Sequence, residues 1–548
     1  MDRRWRWLCV LIIGGLILGL MGGCASGGGE VPEGKAAEVG VGNNISGIGE
    51  EDANMAGAKE KLAQRGENGI GQKEVAERGE GKETGEGGKE TEEGGKETGE
   101  GSQNGVVGED IEEENGNAEE GLQEKEGAIK EILECADQGW FQGYQVDEDF
   151  LGWVLEEYGE KPVRKLQKAA RKKRQDAEAW YKATGESIHA LWGIYCQDRG
   201  ILQEGAEKTY VKECASQGRV ILDFTGDINL AEGGSVTSFL DRQEEGVQGC
   251  FSEALLEEMR GADILVVNNE FTYSGRGEPL PGKAFTFRAK PERVGVLGEL
   301  GADVASLANN HVYDFGEEAL LDTFATLEGA QIPYVGAGRN LEEAMKPVYF
   351  LAGGRKIAIV AATQIERSAN YTKEATENSA GVLKTLDPGR FVSVIEKARG
   401  QSDYVIVFVH WGTEHTNYYG KDQEELGKAF IDAGADVVIG GHTHCLQGFG
   451  YYNGKPVIYS LGNFWFNGQA IDTGLFQVVL HTKSNEAEFR FLPCIQKGCA
   501  VSLVEEAGER QRILGFMQNI SAPEVSVNEE GCVSLLFMAQ ECAEMRIP

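Results

Sequence analysis

From Arg219 onward, short β-branched runs alternate with stretches of helical periodicity. Residues 220–225, 264–267, 304–307, 357–361, 404–409, 437–439 and 457–460 read as strands. Residues 291–300, 317–327 and 422–433 read as helices between them. That alternation predicts an α/β domain, whose functional residues gather in the loops at the carboxyl ends of the strands. Upstream, over residues 124–217, the pattern is helical throughout. Ile129, Ile132, Leu133 and Trp140 recur at helical spacing, then Phe150, Leu151, Val154 and Leu155, then Ala177, Trp180, Tyr181, Ile188, Leu191 and Trp192. A small all-α region therefore precedes the α/β domain.

Before residue 124 the apolar pattern vanishes. Residues 25–123 contain no Phe, Trp or Tyr and are rich in Gly and Glu. Three copies of a Gly-rich repeat begin at Lys82, Lys89 and Lys96, with no apolar seam for a coiled coil. Such a segment buries too little surface to offset chain entropy, so it is expected to be a disordered, self-repelling tether. Much of the formal net charge of −36 sits there. An acidic chain of this kind lacks the basic footprint that nucleic acid requires, so no nucleic-acid partner is expected.

At the start of the chain, Arg3, Arg4 and Arg6 precede an apolar run over residues 8–21 that ends in Gly22-Gly23-Cys24. Basic residues, a short apolar core and small residues describe a secretory signal over residues 1–24. The cysteine after two glycines resembles a bacterial lipobox, which would lipidate Cys24 and tether an extracytoplasmic protein to the cell membrane. An uncleaved anchor or ordinary cleavage nearby is the alternative. Eight Lys or Arg fall within residues 161–174. A solvated helix face is the favoured reading of that run, ahead of a grip on an anionic polymer or lipid headgroups. No Cys-x-x-Cys occurs, which leaves zinc knuckles unsupported. Disulfide pairing stays open, and Cys445 reads as a packing residue.

The chemistry lies where predicted strands end. Of seven histidines, His311, His410, His415, His442 and His444 fall in one stretch of the α/β domain. Successive strands finish at Asp227, at Glu270, at Asn310-His311, at His410 and at His442-Thr-His444. A lone histidine after a strand is usually structural. Acids, an amide and imidazoles on several strand ends are poorly matched without a cation. Their mixed O/N character suits one or two divalent ions such as Mn, Zn or Fe.

These segments also carry a family resemblance. Gly226-Asp-Ile-Asn-Leu230, Asn268-Asn-Glu270, Phe285-Thr-Phe-Arg288, Ala308-Asn-Asn-His-Val-Tyr-Asp-Phe-Gly316, Val335-Gly-Ala-Gly338, His410-Trp-Gly-Thr-Glu414, Gly441-His-Thr-His444 and Tyr459-Ser-Leu-Gly-Asn-Phe464 occur in order. Residues 218–522 resemble the bacterial capsule-synthesis CapA family, named for poly-γ-glutamate capsule and related to calcineurin-like metallophosphoesterases. Residues 523–548 are then a C-terminal extension. The resemblance implies a metallophosphatase-like β-sandwich flanked by helices. It implies one metal on Asp227 and His444, a second on Asn310, His410 and His442, and Glu270 as the bridging acid. His311 would be the general acid, oriented by Asp314. Asn229 stands where phosphoesterases have a histidine and is a weak metal candidate. Arg288, Glu414 and Asn463 are candidate substrate contacts. The implied function is a membrane-tethered, metal-dependent hydrolase in surface-polymer biosynthesis, acting on a phosphoester or on the polymer's amide bonds. The alternative is a non-catalytic export or synthase-assembly factor. The implied partners are an anionic surface polymer or its precursors, the membrane, and polymer synthase subunits.

Overall fold

The computed structural model describes residues 111–136, 138–201, 208–365 and 371–536. The signal, Cys24 and the repeats lie outside the described residues. Two mixed sheets form the centre of the chain. One has seven strands in the order Thr209–Lys212, Val348–Ala352, Arg355–Thr363, Tyr404–His410, Val437–Gly441, Lys455–Leu461, Leu446–Tyr452. The other runs Ala500–Leu503, Glu486–Lys497, Ile471–His481, Arg219–Ile228, Ile264–Asn269, Val304–Ser306, Tyr334–Val335, with Asn463–Trp465 added beside Arg219–Ile228.

The strand period of two explains the layering. Ile264 and Val266 meet Ile357, Ile359, Ile406 and Phe408 in one core between the sheets. The intervening Leu265 and Val267 pack against the helices Glu253–Gly261, Val294–Leu300 and Gly316–Gly329. Val405, Val407 and Val409 do the same against Pro388–Arg399 and Lys421–Asp432. The central strands are buried on both faces, hence their continuous apolar runs. All seven strands read from the sequence are present. The long antiparallel pair Ile471–His481 and Glu486–Lys497 was not among them. Polar residues such as Gln477, Arg490 and Gln496 interrupt its apolar pattern.

Two boundaries differ from expectation. The first helix, Ile111–Cys135, begins inside the stretch assigned to the tether. Ala128, Ile129 and Ile132 anchor its end in the helical core, and Glu-rich sequence propagates a helix once it is nucleated. The C-terminal extension is also not a simple tail. Val525–Val527 and Val533–Leu535 form a hairpin, and Val525 and Val533 enter the core between the sheets. No described helix is long and apolar enough to cross a membrane.

The helical region, with Trp140, Phe150, Trp153 and Trp180 at its centre, meets the sheets around a buried arginine. Arg355 donates to Glu178 at 3.0 and 2.8 Å, to Asp403 at 3.4 Å and to the Thr482 carbonyl at 2.7 Å. Its guanidinium lies 4.3 Å from the centre of the Tyr181 ring. Ser187 donates to the other oxygen of Asp403 at 2.5 Å. A buried charge that loses its partner costs more than the pair contributes. Arg355→Met should therefore destabilise the chain by about 3 kcal/mol in chemical denaturation. The helical region should unfold ahead of the sheets, and one unchanged cooperative transition would contradict this.

Candidate metal centre

Parallel pairing brings the strand ends together. Asp227 sits beside Asn268 in one sheet, and His410 beside Gly441 in the other. The two sheets meet closely here because glycine allows it: a Cβ on Gly441 would lie 2.7 Å from Asp227 Oδ1 of the other sheet. The chain then turns through His442 at φ 93° and His444 at φ 57°, in the left-handed region. Bulky residues adopt that conformation at a cost, and such strain concentrates at functional sites. Here it aims the His442 N–H at Asp227 Oδ2, 3.1 Å away.

Glu270, His410 and His442 each place one ligand atom within 4.8 Å of the others'. His410 Nε2 is 3.1 Å from His442 Nδ1, 3.5 Å from Glu270 Oε1 and 2.8 Å from Asn310 Oδ1. Glu270 is fully buried, yet neither of its carboxylate oxygens has a hydrogen-bond partner among the described residues. Burial pushes the Glu270 carboxyl above its ordinary range. Burial and the neighbouring Glu270 push Asp227 up to about 7. Burial pushes His410 down to about 4, which keeps it a neutral ligand. His444 is held above its usual value: burial opposes its charge, but Glu270 and Asp227 outweigh burial. Orphaned acid oxygens facing imidazole nitrogens are a donor set that suits a divalent cation. Glu270, Asn310, His410 and His442 fit such an ion.

The other sequence candidates are placed less uniformly. His444 Nδ1 lies 2.7 Å from Asn463 Oδ1, so Asn463 orients a histidine. Asn229 Oδ1 accepts the Ala231 N–H at 2.9 Å and closes a turn, which commits one of its two lone pairs. Glu414 Oε1 lies 3.8 Å from His442 Nε2, at the rim of the cluster. The Arg288 guanidinium donates to the carbonyls of Arg276 and Gly277 and stacks 4.1 Å from the Phe315 ring, so it braces a loop. Cys445 is half-buried and burial raises its thiol. Among the described residues, cysteines are free.

His311 Nδ1 meets Asp314 Oδ2 at 2.7 Å, and its Nε2 faces Glu270 Oε1 at 3.9 Å. The Phe287 N–H donates to the same Asp314 oxygen at 2.7 Å, and the Phe287 ring packs 4.3 Å from the imidazole. Three residues around these groups were not singled out from the sequence. Asn268 donates to Asp227 at 2.6 Å and reaches His410 Nδ1 at 3.2 Å. Asn309 donates to Asn268 Oδ1 at 3.2 Å and accepts the His311 N–H at 3.1 Å. Lys283 pairs with Asp314 and donates to the Asn310 carbonyl at 2.6 Å. The amides were visible as neighbours of Glu270 and Asn310. Lys283 carries no sequence signal beyond its place before Phe285.

Residues 221–468 match the family model described as Bacterial capsule synthesis protein PGA_cap. The chain is 38% identical over 183 residues to the capsule biosynthesis protein CapA of Bacillus anthracis, covering 33% of this chain and 44% of that protein. It is 34% identical over 232 residues to the PGA biosynthesis protein CapA of Bacillus subtilis, covering 41% and 59%. It is 31% identical over 255 residues to a probable polyglutamine synthesis accessory protein of Mycobacterium tuberculosis, covering 45% and 66%. The chain thus spans about half the length of the first two of these relatives.

The raised carboxyls give a signed prediction. With no cation bound, the folded chain holds protons on Asp227 that the unfolded chain has released, so stability falls as pH rises from about 4 through about 7. In chelator, the melting temperature should fall between about pH 5 and about pH 8. Mn²⁺ should restore most of the loss at the upper pH, because it binds the deprotonated acid. Glu270→Gln should abolish the Mn²⁺ stabilisation; an unchanged Mn²⁺ response would contradict the assignment.

Proposed function

We propose, taking residues 221–468 as a domain of the bacterial capsule synthesis protein family to which they belong, that this chain is a metal-dependent hydrolase of surface-polymer biosynthesis. The observation that carries the reading is the fully buried Glu270, its oxygens unbonded and turned toward His410 and His442. The layered sandwich and the order of its strand-end ligands support kinship with the metallophosphatase-like fold. The names of the relatives support poly-γ-glutamate capsule as the setting. The extracytoplasmic location, the lipid anchor at Cys24 and contact with synthase subunits belong to the same proposal.

Glu270, Asn310, His410 and His442 would hold the principal cation. When bound, a divalent ion supplies a water of lowered pKa and neutralises charge on the scissile group. The chain's own residues do the rest. Asn268 and the His442 N–H hold Asp227 against the cluster. Asp314, fixed by Lys283 and the Phe287 N–H, keeps the His311 proton donor oriented, with Nε2 facing the centre. That proton would go to the leaving oxygen or nitrogen. With Asn229 spent in its turn, Asp227 and His444 make a weaker second position, so a single-ion enzyme is the favoured form.

The same Asn229 geometry motivates the second reading, a non-catalytic export or assembly factor. Purified chain should contain stoichiometric divalent metal and hydrolyse a chromogenic phosphoester or poly-γ-glutamate. His311→Ala should retain metal and lose about hundredfold or more in rate. His442→Ala should lose both. A metal-free, inactive protein would sink the hydrolase reading. Full polymer production in cells carrying Asp227→Ala with His442→Ala would favour the assembly role.

A further inference from the structure

Outside the metal centre, the helix Glu160–Arg171 separates its charges by face. Val163, Leu166 and Ala170 are buried in the helical core. Arg164 and Arg171 flank that buried face and are paired, Arg164 with Glu124 at 3.3 Å and Arg171 with Glu131 at 2.6 Å. On the opposite face Lys161, Lys165, Lys168 and Lys172 recur at i, i+4, i+7 and i+11 and are all exposed. Lys161, Lys168 and Lys172 have no acidic partner among the described residues, and Lys165 donates only to the Lys182 carbonyl at 3.3 Å. Exposed Lys173 and Arg174 extend the row past the helix end. At 1.5 Å per residue, the four lysines form a stripe about 16 Å long. Like charges at that spacing cost helix stability, so the stripe is maintained against local energetics.

We propose that this lysine stripe is the docking surface for an extended polycarboxylate chain, which it would hold on the same molecule as the metal centre. The charge pattern selects this partner. A single row of cations on one helix matches a linear polyanion. A membrane-lying helix would also present apolar side chains to the lipid, and here Val163, Leu166 and Ala170 face inward instead. The stripe also supplies the positive charge that a chain of net charge −36 needs locally to approach an anionic polymer. The choice of polymer rests on the capsule reading of the previous section; the existence of the docking surface does not.

The test uses the whole chain with fluorescent poly-γ-glutamate and poly-α-glutamate as probes, read by anisotropy over a salt series. Lys161→Gln with Lys168→Gln and Lys172→Gln should weaken binding at least about tenfold and flatten its salt dependence. Glutamine keeps helix propensity, and an unchanged melting temperature verifies the fold. Arg242→Gln with Lys483→Gln and Lys497→Gln makes the same net-charge change elsewhere and should leave binding intact. Hydrolysis of a small phosphoester should be unaffected by either triple. Loss of poly-α-glutamate binding in a chain that ignores poly-γ-glutamate would uphold the surface and overturn the capsule reading. Equal binding by the two triples would overturn the surface. Displacement of the polymer by phosphatidylglycerol vesicles would overturn it in favour of a membrane contact.

Discussion

A carboxylate placed at zero exposure with no hydrogen-bond donor is among the costliest groups a fold can contain, and Glu270 is such a group. Asp227, a second buried acid, adds like charge beside it. The surrounding structure makes sense as the means of holding this arrangement. Two sheets converge at their strand ends, Gly441 permits the close approach, and strained His442 supplies both a ring nitrogen and a backbone donor. Asn268 ties Asp227 of one sheet to His410 of the other, and Asn309 braces Asn268. Protonation relieves part of this cost, as the raised Asp227 and Glu270 carboxyls show, and Glu270, His410 and His442 are grouped closely enough to share a divalent cation.

The second layer of the argument concerns protons. His410 stays neutral because burial penalises its charge, whereas His444 is drawn toward the charged form by the acids. His311 is held differently, through Asp314, which Lys283 and a backbone N–H keep in place. The three histidines thus share a residue type but not their surroundings.

Much of this clustering was legible in the sequence for a simple reason. Buried parallel strands are continuous apolar runs, and several end in a residue of the cluster, so Asp227, Glu270, Asn310, His410 and His442 stand out by position. The antiparallel pair Ile471–His481 and Glu486–Lys497 was not legible, since its polar residues break the apolar run. The bracing contacts of Arg288 were also hidden, because a basic residue in a motif looks alike whether or not it holds a loop. Asn229 looked like a weakened ligand; its contact to Ala231, which no local pattern announced, commits one lone pair of its oxygen to a turn. Lys283 depends on a long-range contact with Asp314 that no local pattern encodes. The acidic total masked the lysine stripe, whose meaning depends on which helix face is buried.

The most direct measurement is anomalous diffraction from a crystal of the chain soaked with Mn²⁺. The account predicts one dominant peak, bonded to Glu270, Asn310, His410 and His442 and lost in Glu270→Gln. No peak at that cluster, or a peak that survives the substitution unchanged, would contradict it.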